Sequence, residues 1–335
     1  WSKKQRWISD YLATQQPEII GFQEVFSADS LKALVRVQGY HYFAVVDKPE
    51  VIDDFIYRSP VVAIASRFPI VDVMPVQPDI ELAKQLGLTT DFTFSRKVLR
   101  ATIDAPHIGN LDCYVVHFKS KRSMLSFDEK VRDEPSNSKQ VLSSEKIIIE
   151  TFKSNIAGSW GSTIQRGTEA TLLMIEMIAR RESTANPMIL MGDFNNTLTD
   201  GVLSHLLTND LRFVSTIDRD AYLANYCLYD SWHLFEQFIT NESQGDIISN
   251  EGEESISTTH TLKIPERAPT HYFGATSSVL DYILLSCEFD ASYHDSLYQV
   301  SDYHTYDRHL INPLFERDGE STDHGIVLVT LTLRE

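Results

Sequence analysis

Apolar residues fall along this chain in short blocks, and the spacing within the blocks alternates between two periods. Nearly continuous runs at Ile19 to Val25, Val61 to Ala65, Leu111 to Phe118, Met188 to Leu190 and Val279 to Leu285 predict strands covered on both faces. A strand with one wet face would alternate apolar and polar residues instead. Tyr40 to Val46, Val98 to Ile103 and Gly325 to Leu333 read as further strands. Between the strands the period lengthens. Trp1, Ile8, Tyr11 and Leu12 lie among Lys, Arg and Gln at helical spacing, up to the helix-breaking Pro17. Leu31 to Val37 predicts a short helix. Thr168 to Arg181 predicts a longer one that turns Ala170, Leu173, Met174, Met177 and Ile178 toward a core.

Helices alternating with buried strands point to α/β layers. Two stretches depart from the pattern. Ser120 to Ser162 joins a charged, Ser-rich segment to Val141–Phe152, whose spacing suits a helix, and is expected to leave the main fold as an excursion. Asn241 to Glu254 is polar and acidic, with Gly245 and Gly252, and is expected to be a mobile surface loop. No linker divides the chain and no repeat recurs at a fixed period. The reading is therefore one elaborated domain over residues 1–335, with insertions near 120–162 and 241–267.

Composition narrows the class of function. A hydrophobic content of 42% with 23% charged residues suits a globular core and excludes disorder throughout. No run approaches the roughly 20 apolar residues of a membrane helix, so stable membrane insertion is not expected. The opening Trp1-Ser2-Lys3-Lys4-Gln5-Arg6 is not a signal peptide; a leader upstream of Trp1 and the compartment stay open. Cys113, Cys227 and Cys287 are too few and too scattered for a disulfide framework or a Cys-x-x-Cys zinc site. Lys and Arg total 30 against 47 Asp and Glu, a net charge of −17. That balance opposes a protein that packages DNA or reads its sequence through a broad basic face. It opposes an enzyme acting on a phosphate ester less, because such an enzyme needs positive charge only where phosphate docks. Nothing in the chain specifies a protein partner, and a monomer is expected.

The candidate chemistry lies where buried strands end. Met191-Gly192-Asp193-Phe194-Asn195-Asn196 follows an apolar run, and alternation along an extended chain would send Asp193 and Asn195 to one side. Glu24 closes the first strand, His117 closes Leu111 to Phe118, Asp281 interrupts Val279 to Leu285, and Asp323-His324 precede the last strand. Each has a structural alternative: Asp-x-Asn can cap a turn, a single His can be a satisfied core residue, and an embedded Asp can pair with an Arg. Taken together, they supply what metal-assisted phosphoester hydrolysis requires. Glu24 and Asp323 offer hard oxygen ligands for Mg²⁺, with Mn²⁺ or Ca²⁺ as substitutes. His324, oriented by Asp281, can take a proton from water or donate one, according to its charge state. His117 and Asn195 can donate to nonbridging phosphate oxygens.

The ordered set resembles the endonuclease/exonuclease/phosphatase superfamily of DNase I-like phosphoesterases. Ile20-Gly21-Phe22-Gln23-Glu24-Val25, Val116-His117-Phe118-Lys119-Ser120, Gly192-Asp193-Phe194-Asn195, Leu280-Asp281-Tyr282-Ile283 and Thr322-Asp323-His324 carry the resemblance, in the family's order and over nearly the whole chain. It implies an α/β (α+β) fold, a four-layer αββα sandwich of two packed mixed sheets flanked by helices. It also implies a metal-dependent phosphodiester hydrolase, foremost a nuclease, that cleaves P–O bonds by in-line attack of water. Phosphatases and lipid-headgroup phosphodiesterases of inositol phosphate or sphingomyelin type are the alternative, and an inactive scaffold is the remaining one. In such enzymes Glu24 would ligate Mg²⁺ and Asp323 would help. Asp193 would position or activate water, Asn195 and His117 would contact phosphate, and Asp281 would pair with His324. The family's opening strand, which usually bears an Asn beside the metal, has no counterpart ahead of residues 1–15; the first asparagine here is Asn110.

Two further residues are candidates for phosphate contact. Gln165-Arg166-Gly167-Thr168-Glu169-Ala170 resembles an Arg-x-x-Glu-Ala segment of bacterial members, which makes Arg166 a candidate, with pairing to Glu169 as the alternative. Lys119, Lys121 and Arg122 form a local basic cluster just beyond His117 that could receive an anionic substrate, nucleic acid foremost.

Overall fold

The computed structural model describes residues 2–51, 57–87, 92–125, 144–207, 222–249, 265–294, 296–311 and 322–334. The strands are β1 (Ile19–Val25), β2 (Tyr42–Val45), β3 (Glu50–Val51), β4 (Tyr57–Arg58), β5 (Val61–Ser66), β6 (Ile70–Pro75), β7 (Leu99–Ala105), β8 (Gly109–His117), β9 (Met188–Asp193), β10 (Leu228–Asp230), β11 (His271–Phe273), β12 (Thr276–Ser278), β13 (Asp281–Ser286), β14 (Tyr298–Tyr306) and β15 (Ile326–Leu333). The helices used below are α1 (Ser2–Gln15), α2 (Ala28–Val37), α3 (Ile80–Gln85), α4 (Ser144–Thr184) and α5 (Ser231–Ser249). Among the described residues no helix is long and apolar enough to cross a membrane.

One sheet runs in the order β10-β13-β9-β8-β7-β6, with β8 and β9 parallel and its other neighbours antiparallel. Facing it lie β1-β5-β2 and the antiparallel pair β14-β15. Strand alternation sorts side chains into three apolar layers, as a four-layer sandwich needs. Tyr114, Val116, Met188 and Leu190 pack under Leu173, Met174 and Met177 of α4. Leu111, Cys113, Val115, Ile189 and Met191 point the other way and meet Val62 and Ile64 of β5. Val61, Ala63 and Ala65 of β5 pack under Leu12 of α1 and Leu31, Leu34 and Val35 of α2. The near-continuous apolar strands thus have both faces covered, as their pattern predicts.

Two expectations change. The excursion at 120–162 and the helix at 168–181 are largely one element, because α4 is a continuous helix of 41 residues that begins at Ser144. Its N-terminal half projects beyond the sheet and leaves Ile148, Phe152, Ile156 and Trp160 exposed on one stripe. The loop ahead of it is tied to the helix by Met124 N donating to Gly158 O at 3.1 Å and by Ser162 Oγ donating to Arg122 O at 2.5 Å. Residues 241–249, expected as loop, continue α5; residues 250–254 lie outside the described set.

Among the described residues β1 pairs only with β5, and β15 only with β14. Their other edges flank a cavity of about 1250 Å³ floored by Ile189, Met191, Ile283 and Leu285 of the larger sheet. At one end this cavity reaches Glu24, Asp193, Asp281, Asp323 and His324.

Candidate active site

Strand register sets the site. Parallel pairing places His117 of β8 opposite Asp193 of β9, and antiparallel pairing places Asp281 of β13 opposite the same Asp193. Three neighbouring strands therefore end on one row of polar residues. The chain can pass so closely there because residue 192 is glycine: its φ is +142°, and a Cβ would sit 2.0 Å from the Val116 carbonyl oxygen. Phe194 then turns into the core between Phe118 and Tyr282, with ring centroids 5.3 Å from each.

Asn195 reaches Asp193 by a different route from the one alternation implies. β9 ends at Asp193, and Asn195 adopts a left-handed conformation, φ +53°, which Asn tolerates better than most residues. Its backbone N donates to Asp193 Oδ1 at 2.7 Å, and its Nδ2 donates to Asp193 Oδ2 at 3.1 Å and to Phe118 O at 3.0 Å. Both amide protons are engaged, so in this state Asn195 orients Asp193.

His117 and Asp193 are each 5% exposed, with Nε2 and Oδ2 3.3 Å apart. Burial, reinforced by Arg96 and His324, pushes the His117 pKa down to about 3 and keeps the ring neutral. Its Nδ1 is buried with no partner among the described residues. Burial and the neighbouring Asp281 hold the Asp193 carboxyl well above the usual carboxylate range.

His324 reaches the row from the far end of the chain. Its Nδ1 lies 2.8 Å from Asp281 Oδ2. A stitch at Thr270 holds the two together: Thr270 Oγ1 accepts from Leu280 N and Asp281 N at 2.9 and 3.2 Å, and Thr270 O accepts from Gly325 N at 2.7 Å. Burial alone would lower the His324 pKa, but the Asp281 hydrogen bond and the charges of Asp281, Asp193 and Asp323 outweigh it and raise it to about 9. At neutral pH this imidazole carries its proton. Of the two sequence-based alternatives, that favours the donor.

Among the described residues, one group of three or more His, Cys, Asp and Glu has its ligand atoms within 4.8 Å of one another: Asp193, Asp281 and His324. The predicted metal ligands Glu24 and Asp323 are outside it. Both are exposed at the mouth of the same cavity, with Glu24 at φ +54° beside a register shift in β1. Donor chemistry suits a hard divalent cation, since Glu24, Asp323, Asp193 and Asp281 all offer carboxylate oxygen. The strained ionisation of Asp193 is what a nearby cation would relieve.

The two substrate-contact candidates behave differently from expectation. Lys119 bends back, its Nζ donating to Ser120 O and Arg122 O at 3.4 and 3.2 Å. Arg166 is 3% exposed and donates from Nη1 to Lys119 O at 2.9 Å, so it braces the segment after His117. Glu169 braces it too, accepting from Lys119 N at 2.7 Å and Ser95 N at 2.6 Å. Two residues at the site, Arg96 and His271, were not singled out by sequence, and a third, Glu169, was named only as the alternative partner of Arg166. Arg96 donates to Phe118 O at 3.2 Å and lies within electrostatic reach of Asp193 and Glu24. Glu169 is buried in the helix face, and His271 pairs in a β-bridge with His324, ring centroids 5.0 Å apart. Arg96 and His271 lie on ordinary-looking loop and hairpin sequence; the buried helical position of Glu169 was the one available signal.

Comparison with known proteins gives the family and the fold. The model of the Endonuclease/Exonuclease/phosphatase family matches residues 2–302. The human Nocturnin catalytic domain with bound sulfate superposes with a TM-score of 0.53 at 16% identity, over 100% of this chain and 87% of that one. A D. rerio TDP2 humanized by 14 mutations gives 0.51 at 12% identity, over 99% of this chain and 92% of that one. At such identities these likenesses establish the fold. A search of the curated proteins finds no sequence match.

Proposed function

The chain belongs to the endonuclease/exonuclease/phosphatase family of phosphoester hydrolases, and on that premise we propose that it is a divalent-metal-dependent phosphodiesterase acting on nucleic acid. The observation that carries the reading is the row His117, Asp193, Asp281 with His324 bonded to Asp281 and Asn195 bonded to Asp193. Asp193, whose carboxyl binds a proton more readily than usual, takes the proton of the attacking water. His324, protonated at neutral pH, donates to a phosphoryl oxygen, and Asp281 keeps its ring oriented. His117 and Asn195 stand beside the phosphate, and Lys119, Arg166 and Arg96 supply positive potential behind it. Glu24 and Asp323 would hold Mg²⁺ or Mn²⁺, which when bound would polarise a phosphoryl oxygen and offset developing charge.

A phosphatase or lipid-headgroup phosphodiesterase is the second reading, favoured by the net charge of −17, which weakens long-range attraction to a polyanion. A panel of plasmid DNA, single-stranded RNA, inositol phosphates and sphingomyelin with Mg²⁺, repeated with EDTA, separates the two. The expected result is metal-dependent cleavage of a nucleic acid, lost in Asp193→Asn by a factor of roughly 10² to 10⁴, the usual contribution of a positioned base. Full activity in Asp193→Asn or His324→Ala would remove the assigned roles.

A further inference from the structure

The β11-β12 hairpin stands beside the catalytic row and carries a residue that the chemistry above does not use. Its base is fixed to the row: Thr270 O accepts from Gly325 N at 2.7 Å, and His271 forms the β-bridge to His324, with ring centroids 5.0 Å apart. From there the two strands pair antiparallel, with His271 opposite Ser278 and Phe273 opposite Thr276. Gly274 and Ala275 close the loop in two residues, and Gly274 takes φ +60°, the kind of conformation for which tight hairpin turns favour glycine. So short a loop fixes the register, and with it the side chains that each face presents.

Alternation along β11 divides its side chains between two faces. Tyr272 points away from the row, with its hydroxyl 3.5 Å from Asp307 Oδ2. His271 and Phe273 share the opposite face, the one that looks on His324, with Asp281 and Asp323 also within electrostatic reach of His271. Phe273 lies two residues beyond His271, about 7 Å along the strand, which is the scale of one nucleotide. It is 82% exposed, the most open Phe, Tyr or Trp among the described residues. Its cross-strand neighbour Thr276 is small, and Gly274 and Ala275 follow it, so nothing bulky on the hairpin covers the ring. A single exposed apolar residue is ordinary on a protein surface. This one is set apart by the face it shares with the catalytic row.

We propose that Phe273 is a stacking platform for an unpaired nucleobase of the substrate, next to the scissile phosphate. The inference rests on the phosphodiesterase reading and narrows its substrate. An open ring in this place offers its π-face to any base, with no choice of sequence. Bases inside a duplex already stack on their neighbours, so single strands and strand ends gain the contact and intact duplex does not. An inositol phosphate has no base and gains nothing. A lipid surface suits the hairpin less: one aromatic residue followed by Gly274, Ala275 and Thr276 is a small apolar area for an anchor, and it faces the row.

The test compares two chromogenic substrates with Mg²⁺: the p-nitrophenyl esters of thymidine 5′-phosphate and of 1,2-dideoxyribose 5-phosphate, which lacks the base. The nucleotide is expected to have a KM roughly tenfold lower, within the span that stacking of a base on an aromatic side chain gives. Phe273→Ala should bring that ratio to about one, and Phe273→Trp, which keeps an aromatic ring, should retain it. Equal KM values in the unaltered protein would overturn the platform, as would a ratio that Phe273→Ala leaves unmoved or an equal rise of both KM values. Loss of binding to phosphatidylcholine vesicles in Phe273→Ala, with the nucleotide ratio unmoved, would overturn it in favour of a lipid surface. If neither compound is turned over, the activity reading fails and fluorescence decides the platform. Oligothymidylate should then quench the added indole of Phe273→Trp beyond any quenching in the unaltered protein, and equal quenching in the two would overturn the platform.

Discussion

Replacing Gly192 by alanine tests whether the polar row is set by how closely β9 approaches β8. Two penalties are expected. The backbone φ of +142° is one that residues with a Cβ rarely adopt, a strain of roughly 1–3 kcal/mol. In addition, the new Cβ would lie 2.0 Å from Val116 O and 2.9 Å from Val116 C, main-chain atoms in the paired, buried part of β8 that cannot rotate away. Relief requires a shift of about 1 Å between β8 and β9, which adds overpacking of roughly 1–3 kcal/mol. The sum, about 2–6 kcal/mol, is a large part of the roughly 5–15 kcal/mol that stabilises an ordinary domain. Gly109 serves as the control: its φ is +78° and nothing lies within 4 Å of where an added methyl would sit, so Gly109→Ala carries backbone strain alone. Urea denaturation followed by fluorescence would report both, with the difference isolating the collision. The shift would also separate His117 from Asp193, and a misplacement of about 1 Å commonly costs roughly 10²-fold in turnover. Equal stability losses in Gly192→Ala and Gly109→Ala would refute the reasoning.

Three other outcomes follow from the same geometry. The His324 pKa is raised from 6.5 to about 9, so its stabilisation is complete below pH 6.5 and is lost as pH rises through about 9. That is about 3 kcal/mol across the window, at about 1.36 kcal/mol per unit, and urea midpoints at pH 6 and pH 9.5 should show most of it in the native chain and little in Asp281→Asn. Asp230→Ala strands the Arg267 guanidinium, which donates to Asp230 Oδ2 at 2.6 Å and lies over the rings of Trp232, Tyr282 and Tyr303. The expected loss is about 3–5 kcal/mol, and a loss under 1 kcal/mol would show that the aromatic rings and the Tyr303 hydroxyl, which accepts from Arg267 Nε and Nη2 at 3.1 and 2.8 Å, hold the charge without Asp230. Glu169→Gln should loosen the segment after His117, seen as faster amide exchange at Lys119, whose N–H now donates to that carboxylate at 2.7 Å; unchanged exchange would count against the brace.

The parts of the fold that sequence disclosed are those whose two faces are both buried. β5, β8, β9 and β13 carry apolar side chains into two layers at once, so burial itself writes the pattern. β6 and β14 were not evident, because Ile70–Pro75 and Tyr298–Tyr306 alternate with Asp, Gln, Ser and His and gain their order from a partner strand. The continuity of α4 was hidden for another reason. Gly158, Gly161 and Gly167 look like breaks, yet a Cβ on Gly158 would lie 1.9 Å from Ser123 Oγ and 2.6 Å from Leu125 N, so glycine there admits a crossing loop. At the site, Asp193, Asp281, His117 and His324 were legible because a polar residue ending an apolar strand is costly without a purpose. Their grouping was not, since it comes from register, as with Asp281 opposite Asp193. Arg96 and His271 leave no such mark, as their neighbours in sequence are themselves polar or aromatic.

The open edges of β1 and β15 also bear on how this chain behaves at high concentration. Among the described residues these edges have no strand partner, and an unpaired edge above an apolar floor is a template that another molecule's strand can extend, the first step of aggregation. What opposes it is the mutual repulsion of molecules carrying −17 charges. Salt screens that repulsion within about 10 Å at 0.1 M while leaving hydrogen bonding and apolar contact nearly intact. Colloidal stability of this protein is therefore governed by ionic strength, and dilute buffer is the condition that keeps it dispersed.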